Sequence, residues 1–261
     1  SPYRPQAGCR RRAAWPIPVA QPAPLNPGLH STRLTFTLDA DTLYAEAKMN
    51  CCPHCQGADR FFNQRVAESD LRHYRQHGAT GTTKQLLAAL TSAGVAGLTL
   101  LDIGGGIGII QHELHAAGVV ETTDVDASRA YLAIARREAD RRGYGSDAHY
   151  IHGDFVALAD RIEAADIVTL DRVLCCYPDM EALMHGAAAR ARRLLGLVYP
   201  RDGWWTKVGV TLLNLYPRLR GDAFRSFAHP TAAVEAVAAS NGLRRITHHE
   251  GLIWQVVVFA R

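Results

Sequence analysis

From Leu98 onward the chain alternates two kinds of segment: short apolar runs of strand length and longer runs with helical spacing. LTLLDI (98–103) leads into IIQHELHAAG, VVETTDV (119–125) into SRAYLAIARREADRRG, and HYIHGDF follows. ADIVTLDRV then precedes MEALMHGAAARARRLL, whose helical spacing predicts a helix running to Leu195, and GLVYP (196–200) closes the series as a strand. Parallel strands need a crossover, and the crossover that packs back onto the sheet is a helix. The pattern therefore predicts an α/β fold of the Rossmann-like, doubly wound kind, with a mostly parallel sheet and helices on both faces. The end differs, because Thr231–Ser240 reads as a helix and LRRITHHE and LIWQVVVFAR as two strands in a hairpin or near it.

What precedes the alternation is of another character. Seven of the twelve prolines fall in the first 27 residues. Such a segment builds neither a helix nor a central strand. Residues 1–48 are therefore expected to lie outside the functional fold, as a disordered Pro/Arg-rich arm or as sequence upstream of a start at Met49. A signal peptide fits poorly, since Pro16 and Pro18 interrupt the apolar stretch behind the arginines; the Arg-rich, acid-free arm leaves an organelle transit peptide open, though it is poor in Ser and not amphipathic. Residues 49–96 are expected to form a cysteine cluster and a helical cap, with one helix over Ala58–His77 and another over Thr82–Ala93. Residues 97–261 form the expected catalytic domain, with an insertion at 201–228 too long for an ordinary connection.

Charge excludes some partners. The net charge is +4, but Arg4, Arg10, Arg11, Arg12 and Arg33 stand in an arm without acids, which leaves the remainder near neutrality. A near-neutral body argues against a duplex-binding face, so nucleic acid is not an expected partner. No stretch reaches the ~18 apolar residues of a membrane span. With no secretory signal, the expected compartment is the cytoplasm.

The first strand runs directly into Asp102-Ile-Gly104-Gly105-Gly106-Ile-Gly108 and then a helix. Glycines there let the chain turn tightly and bring a ligand against the main chain. The dinucleotide fingerprint requires Gly or Ala where this chain has Ile109, so a nicotinamide-dependent oxidoreductase fits poorly. What fits is D-x-G-x-G-x-G. With that loop and the acids that follow it, the chain resembles the class I S-adenosylmethionine-dependent methyltransferases over about residues 58–261. The resemblance implies seven strands with the last reversed, and S-adenosyl-L-methionine as cofactor. It further implies a cofactor site of Asp102, Gly104, Gly105, Gly106, Gly108, Asp126, Ala127, Asp154, Phe155 and Asp171. In that family the acid at the position of Asp126 accepts from the ribose hydroxyls, Asp154 and Phe155 meet the adenine, and the segment around Asp171 lines the methionine end. Each acid also has a plainer reading as a helix cap.

Methyl transfer from a sulfonium is an in-line displacement, and a base is needed only if the acceptor is protonated. The candidate acceptor-side residues are Asp171, Arg172, Cys175, Cys176 and Tyr177, with His229 as the first histidine to consider as a base and His73 and Tyr74 as lid residues. Trp204, Trp205, Leu212, Leu213, Leu215 and Tyr216 make the insertion either a helix packed on the sheet or a cover over the substrate. If it is a cover, the acceptor is a small apolar or aromatic molecule methylated on O, N or C, and the general layout is loosely similar to the methyltransferases of porphyrin and quinone biosynthesis. Two alternatives stand beside this one. Cys51, Cys52, Cys55, Cys175 and Cys176 could meet around a soft metal or metalloid acceptor, although no resident metal site is expected. The chain could also bind the cofactor without catalysing transfer.

Overall fold

The computed structural model describes residues 53–215, 219 and 224–261. The arm over 1–48, Cys51, Cys52 and most of the segment 216–223 lie outside the described residues.

Three helices precede the sheet: α1 (Pro53–Phe61), α2 (Gln64–His77) and α3 (Gly81–Ser92). The single helix expected over Ala58–His77 is thus two. Asn63 divides them: its backbone is extended, at φ −80° and ψ 177°, and its side chain accepts from the amides of Arg65 and Val66. An asparagine that satisfies the orphan amides of a new first turn starts a helix, and the chain turns there.

The alternating part gives β1 (Thr99–Ile103), α4 (Ile109–Ala116), β2 (Glu121–Asp126), α5 (Arg129–Arg142) and β3 (Ala148–His152). It continues through the short α6 (Phe155–Leu158), β4 (Ala165–Asp171), α7 (Met180–Arg190) and β5 (Ala191–Pro200). The last elements are α8 (Trp204–Leu213), α9 (Thr231–Ser240), β6 (Arg244–Glu250) and β7 (Trp254–Ala260). The seven strands are ordered 3-2-1-4-5-7-6, and β7 runs antiparallel to both β5 and β6.

The expected helix through Leu195 is corrected, since α7 stops at Arg190 and Ala191 already pairs with Ala165 of β4. The residues Ala191–Leu195 favour a helix, and the sheet overrides them. Leu194 and Leu195 are buried on opposite faces, and strands covered on both faces read as unbroken apolar runs.

Two cores flank the sheet. Leu101, Ile103, Leu195 and Leu197 face a layer that includes α7 and α9, while Leu100, Ile167 and Val198 face α3 and α4. Helix α2 packs on α5 through Ala67, Leu71 and Tyr74 against Ile134. That contact is fastened by Glu138, fully enclosed on α5, which accepts from Arg75 of α2 and from Arg141 and Arg142 of its own helix. Among the described residues no helix is long and apolar enough to cross a membrane.

Candidate functional site

The strand order reverses between β1 and β4. Connections from β1 lead to β2 and β3, and those from β4 lead the other way, so a crevice opens beyond the carboxyl ends of these two strands. A cavity of about 1300 Å³ lies there. It exceeds the ~300–1000 Å³ that one small ligand occupies, which leaves space for two molecules side by side.

The floor is the turn after β1. Gly104, Gly105 and Gly106 line the cavity, whereas Gly108 does not; it is the left-handed residue that starts α4. A Cβ on Gly105 would lie 2.6–2.8 Å from the side chains of Gln111, Asp102 and Asp124, so only glycine fits above this acidic floor. Gly106 has φ +61° and lines the cavity, and a Cβ added there would meet the Tyr131 ring at 3.8 Å. Behind the loop, Asp102 accepts from Thr169 at 2.7 Å and from Gln111 at 3.3 Å, and burial pushes its carboxyl up to about 7. Asp124, its neighbour across the ladder, is also raised by burial and by the nearby Asp126.

Asp126, at the end of β2, joins the loop to the next helix. It accepts from the Gly106 amide at 3.0 Å and from the Ser128 amide at 2.7 Å, and burial pushes it up to about 6. The capping reading of this acid is corrected: Ser128 caps α5 by accepting from the Tyr131 amide, and Asp126 holds the Ser128 amide while it and Ala127 line the cavity. Asp154 starts α6 by accepting from the Val156 amide and takes the Tyr177 hydroxyl on its carboxylate. Phe155 lies beside it, buried and part of the lining.

Asp171, at the end of β4, accepts from Thr83 of α3 at 2.5 Å and from the Arg172 guanidinium at 3.1 and 3.3 Å. Among the described residues Arg172 is the non-glycine residue with positive φ, +61°. Such backbone strain persists only where surrounding contacts hold it, and here the side chain is pinned by Asp171 and Thr83.

The roof comes from the cap and the insertion. Phe224 stacks on His54 at 5.5 Å and on Phe61 at 4.9 Å, and meets Phe62 edge-on at 5.6 Å. The His54 ring also hydrogen-bonds the Cys176 carbonyl. Asp70 and His73 of α2 line the cavity together with Leu212 and Leu213 of α8. Of the residues of α8 only Thr206 is buried, so α8 is not a helix packed into the sheet's core, and Leu212 and Leu213 at its end reach the cavity.

Of the sequence-derived site residues, the structure brings Asp102, Gly104, Gly105, Gly106, Asp126, Ala127, Asp154, Phe155, Asp171, Arg172 and Tyr177 to one cavity. His229 is not among the lining residues. Its Nε2 is engaged with the Tyr177 carbonyl at 3.0 Å, and its ring stacks on Phe227, so it braces the turn after β4. Cys55, Cys175 and Cys176 do line the cavity, with the Cys175 and Cys176 sulfurs 3.6 Å apart. Among the described residues, however, no three His, Cys, Asp or Glu side chains converge as metal ligands. Sequence reasoning missed Thr83, Asp70, Tyr131 and the aromatic roof.

The methyltransferase-domain family matches residues 100–195, the stretch from β1 into β5. Over that stretch the chain is similar to methyltransferase domains. Two curated relatives align with part of it. A ubiquinone biosynthesis O-methyltransferase of Aromatoleum aromaticum is 34% identical over 101 residues, 39% of this chain and 42% of that protein. One of Paramagnetospirillum magneticum is 33% identical over 96 residues, 37% of each. The aligned stretch thus spans less than half the length of either relative. The fold of the methyltransferase domain is shared with the magnesium protoporphyrin IX methyltransferase of Synechocystis PCC 6803, solved with bound S-adenosylhomocysteine (SAH), at 20% identity and a TM-score of 0.61, covering 80% of this chain and 99% of that one. It is shared too with an O-methyltransferase family protein of Burkholderia thailandensis at 15% identity and a TM-score of 0.58, covering 76% and 60%.

Proposed function

We propose that this protein transfers a methyl group from S-adenosylmethionine to a hydroxyl of a small aromatic acceptor. The observation that carries this reading is the division of one cavity into two unlike halves. On one side stand bare glycine backbone and acids at the ends of β1, β2 and β3; on the other stand the apolar and aromatic side chains of α1, α2, α8 and Phe224. The names of the curated relatives agree with an oxygen acceptor.

The residues fit such a cofactor. The loop lines the cavity with glycine backbone alone, Asp126 can accept from a diol, and Asp154 can accept from an exocyclic amine beside the Phe155 ring. When bound, the cofactor supplies an activated methyl with a neutral thioether as leaving group. The protein's own contribution is alignment and exclusion of water. Asp171 and Arg172, locked to each other and to Thr83, make a fixed part of the lining. The aromatic roof holds a flat acceptor and keeps the cavity dry. A phenol must lose its proton as oxygen bonds to carbon, and His73, which α2 presents to the cavity, is the base in this reading.

The test is thermal unfolding with SAH, S-adenosylmethionine and NAD, followed by transfer of a labelled methyl group to a panel of phenols, catechols and hydroquinones. At about 100 times Kd a ligand stabilises by about 2.7 kcal/mol. Stabilisation by the two sulfur nucleotides alone, with label on a phenolic oxygen, is expected. Binding without transfer to any acceptor would leave a cofactor-binding module, and no stabilisation would overturn the reading.

A further inference from the structure

Cys175 and Cys176 follow one another on the single helical turn after β4 (Leu174–Cys176), and their sulfurs lie 3.6 Å apart. Successive side chains on a helical turn do not face each other. Here both thiols nevertheless bend toward one acceptor, the Arg172 carbonyl, at 3.2 and 3.6 Å. Arg172 is the residue held at φ +61°, so the convergence belongs to the strained corner of the lining. Among the described residues no three ligating side chains converge, and the chemistry open to the pair is that of a dithiol.

The peptide that joins the two cysteines is held on both sides. Its carbonyl, that of Cys175, accepts from the Phe227 amide at 2.7 Å, and its N–H, that of Cys176, donates to the Val173 carbonyl at 2.8 Å. The next carbonyl, that of Cys176, is hydrogen-bonded to the His54 ring of α1. Phe227 stands three residues after Phe224, whose ring stacks on His54 and Phe61. One short turn thus fastens both parts of the aromatic roof, from the cap and from the insertion, to the end of β4.

We propose that Cys175 and Cys176 are a modification site for peroxides, a dithiol whose reversible oxidation to a disulfide loosens the roof of the cavity. Cys175 is the attacking sulfur: the hydrogen bond from the Cys176 thiol lowers its pKa, and the Arg172 guanidinium acts in the same sense. Cys176 is raised by that contact and by burial, and is the resolving thiol. A thiol of lowered pKa beside a resolving thiol is the arrangement that peroxides oxidise most readily. In the first step the Cys175 thiolate attacks one oxygen of hydrogen peroxide; an S–O bond forms, the O–O bond breaks and hydroxide leaves, taking up the Cys175 proton as water. In the second the Cys176 sulfur attacks the Cys175 sulfenic acid; the S–S bond forms, and the hydroxyl leaves with the Cys176 proton as a second water. The two thiols lose two electrons, and the peroxide gains them. A bridge between adjacent residues closes a small ring that contains their peptide bond, so that peptide has to turn. The turn breaks its bond to Phe227 and shifts the carbonyl that meets His54. A disulfide strained in this way is readily reduced again by thiols.

The experiment treats the full chain with hydrogen peroxide, blocks remaining thiols with iodoacetamide, and digests with trypsin for mass spectrometry. Val173–Arg190 is one tryptic peptide and carries both cysteines. It should appear unalkylated and lighter by two hydrogen atoms, and dithiothreitol before blocking should restore the doubly alkylated form. Cys176→Ser should form no bridge and leave a sulfenic acid on Cys175 that dimedone traps, whereas Cys175→Ser should react with peroxide at least tenfold more slowly. In the oxidised wild type, hydrogen exchange at the Phe227 amide should quicken at least tenfold and return to its starting rate with dithiothreitol. Two alkylated cysteines after peroxide would overturn the proposal, and so would a cross-linked peptide joining either cysteine to Cys55 or to Cys9, Cys51 or Cys52. A bridge that leaves the Phe227 amide as protected as before would overturn its link to the roof. None of these readouts depends on cofactor or on methyl transfer, so failure here and failure of the proposed activity are separable.

Discussion

The Tyr177 hydroxyl lies 2.9 and 3.1 Å from the two carboxylate oxygens of Asp154. Both residues are buried, and Asp154 must also start α6 through the Val156 amide. Tyr177 therefore orients the acid at the β3 end of the cavity and does not face the acceptor as a reacting group. Replacing it with Phe keeps the ring and removes the donor. A hydrogen bond to a charged group contributes about 1.5 kcal/mol, so Tyr177→Phe should weaken SAH binding roughly tenfold. Isothermal calorimetry checks this, and an unchanged Kd would remove Tyr177 from the site.

If Asp126 holds the ligand's diol as proposed, binding should depend on pH. Burial raises its carboxyl to about 6, and only the ionised form can accept from both hydroxyls of a diol. Below pH 6 the proton must leave before the ligand is held, so affinity should rise about tenfold between pH 5 and 7 and then level off. Asp126→Asn should bind weakly and lose most of this dependence. SAH titrations at stepped pH measure it, and a flat wild-type profile would contradict the assignment.

Stability should move in the same direction with pH, for a different reason. His112 is buried, its Nε2 faces the Ile107 carbonyl and its Nδ1 pairs with the Tyr144 hydroxyl. Burial lowers its pKa to about 4. The folded ring stays neutral while the unfolded ring takes a proton below its ordinary value of about 6.5. This contribution is complete above about 6.5 and is lost as pH falls toward 4. Between pH 7.5 and 5 it amounts to about 2 kcal/mol. Asp102 and Asp126, whose carboxyls are raised, act in the opposite sense over part of that range. The measurement is therefore a difference: urea unfolding of wild type minus His112→Gln should change by about 2 kcal/mol between these two pH values.

The floor of the site was legible in the sequence because it is continuous. Asp102 through Gly108 form one strand-to-helix turn, Asp126 and Asp171 each end a strand and Asp154 follows one by two residues, so order and spacing alone gather them. The wall and roof were not legible, because their contacts join distant segments. Thr83 meets Asp171 across 88 positions, and Phe61 and Phe62 meet Phe224 across more than 160. Neither pairing leaves a periodic trace. The first half of strand β5 was hidden for another reason: Ala191–Leu195 is helix-forming by composition, and only burial between two helix layers makes it a strand. His229 shows the converse error. A histidine next to the insertion looked chemical, and its ring nitrogen is engaged with the backbone of Tyr177.

The two histidines can be told apart by kinetics. His73 lies on α2 in the cavity lining, while His229 braces the turn after β4 from outside it. If a phenol is the acceptor, the base must touch its proton, and loss of a general base costs about 10²–10⁴ in rate. His73→Asn should lower kcat within that range and flatten the acidic limb of its pH profile, with KM for S-adenosylmethionine nearly unchanged. His229→Asn should leave the shape of the profile intact. Its cost should appear as lower stability, about 1 kcal/mol for one hydrogen bond, and as a modest rise in KM through the displaced Tyr177. An acceptor supplied already ionised at working pH, such as a nitrophenol, should restore most of the rate to His73→Asn and none to a variant that is merely misfolded. Equal profiles for wild type and His73→Asn on a fully protonated phenol would mean that solvent takes the proton and that the cavity acts by alignment alone.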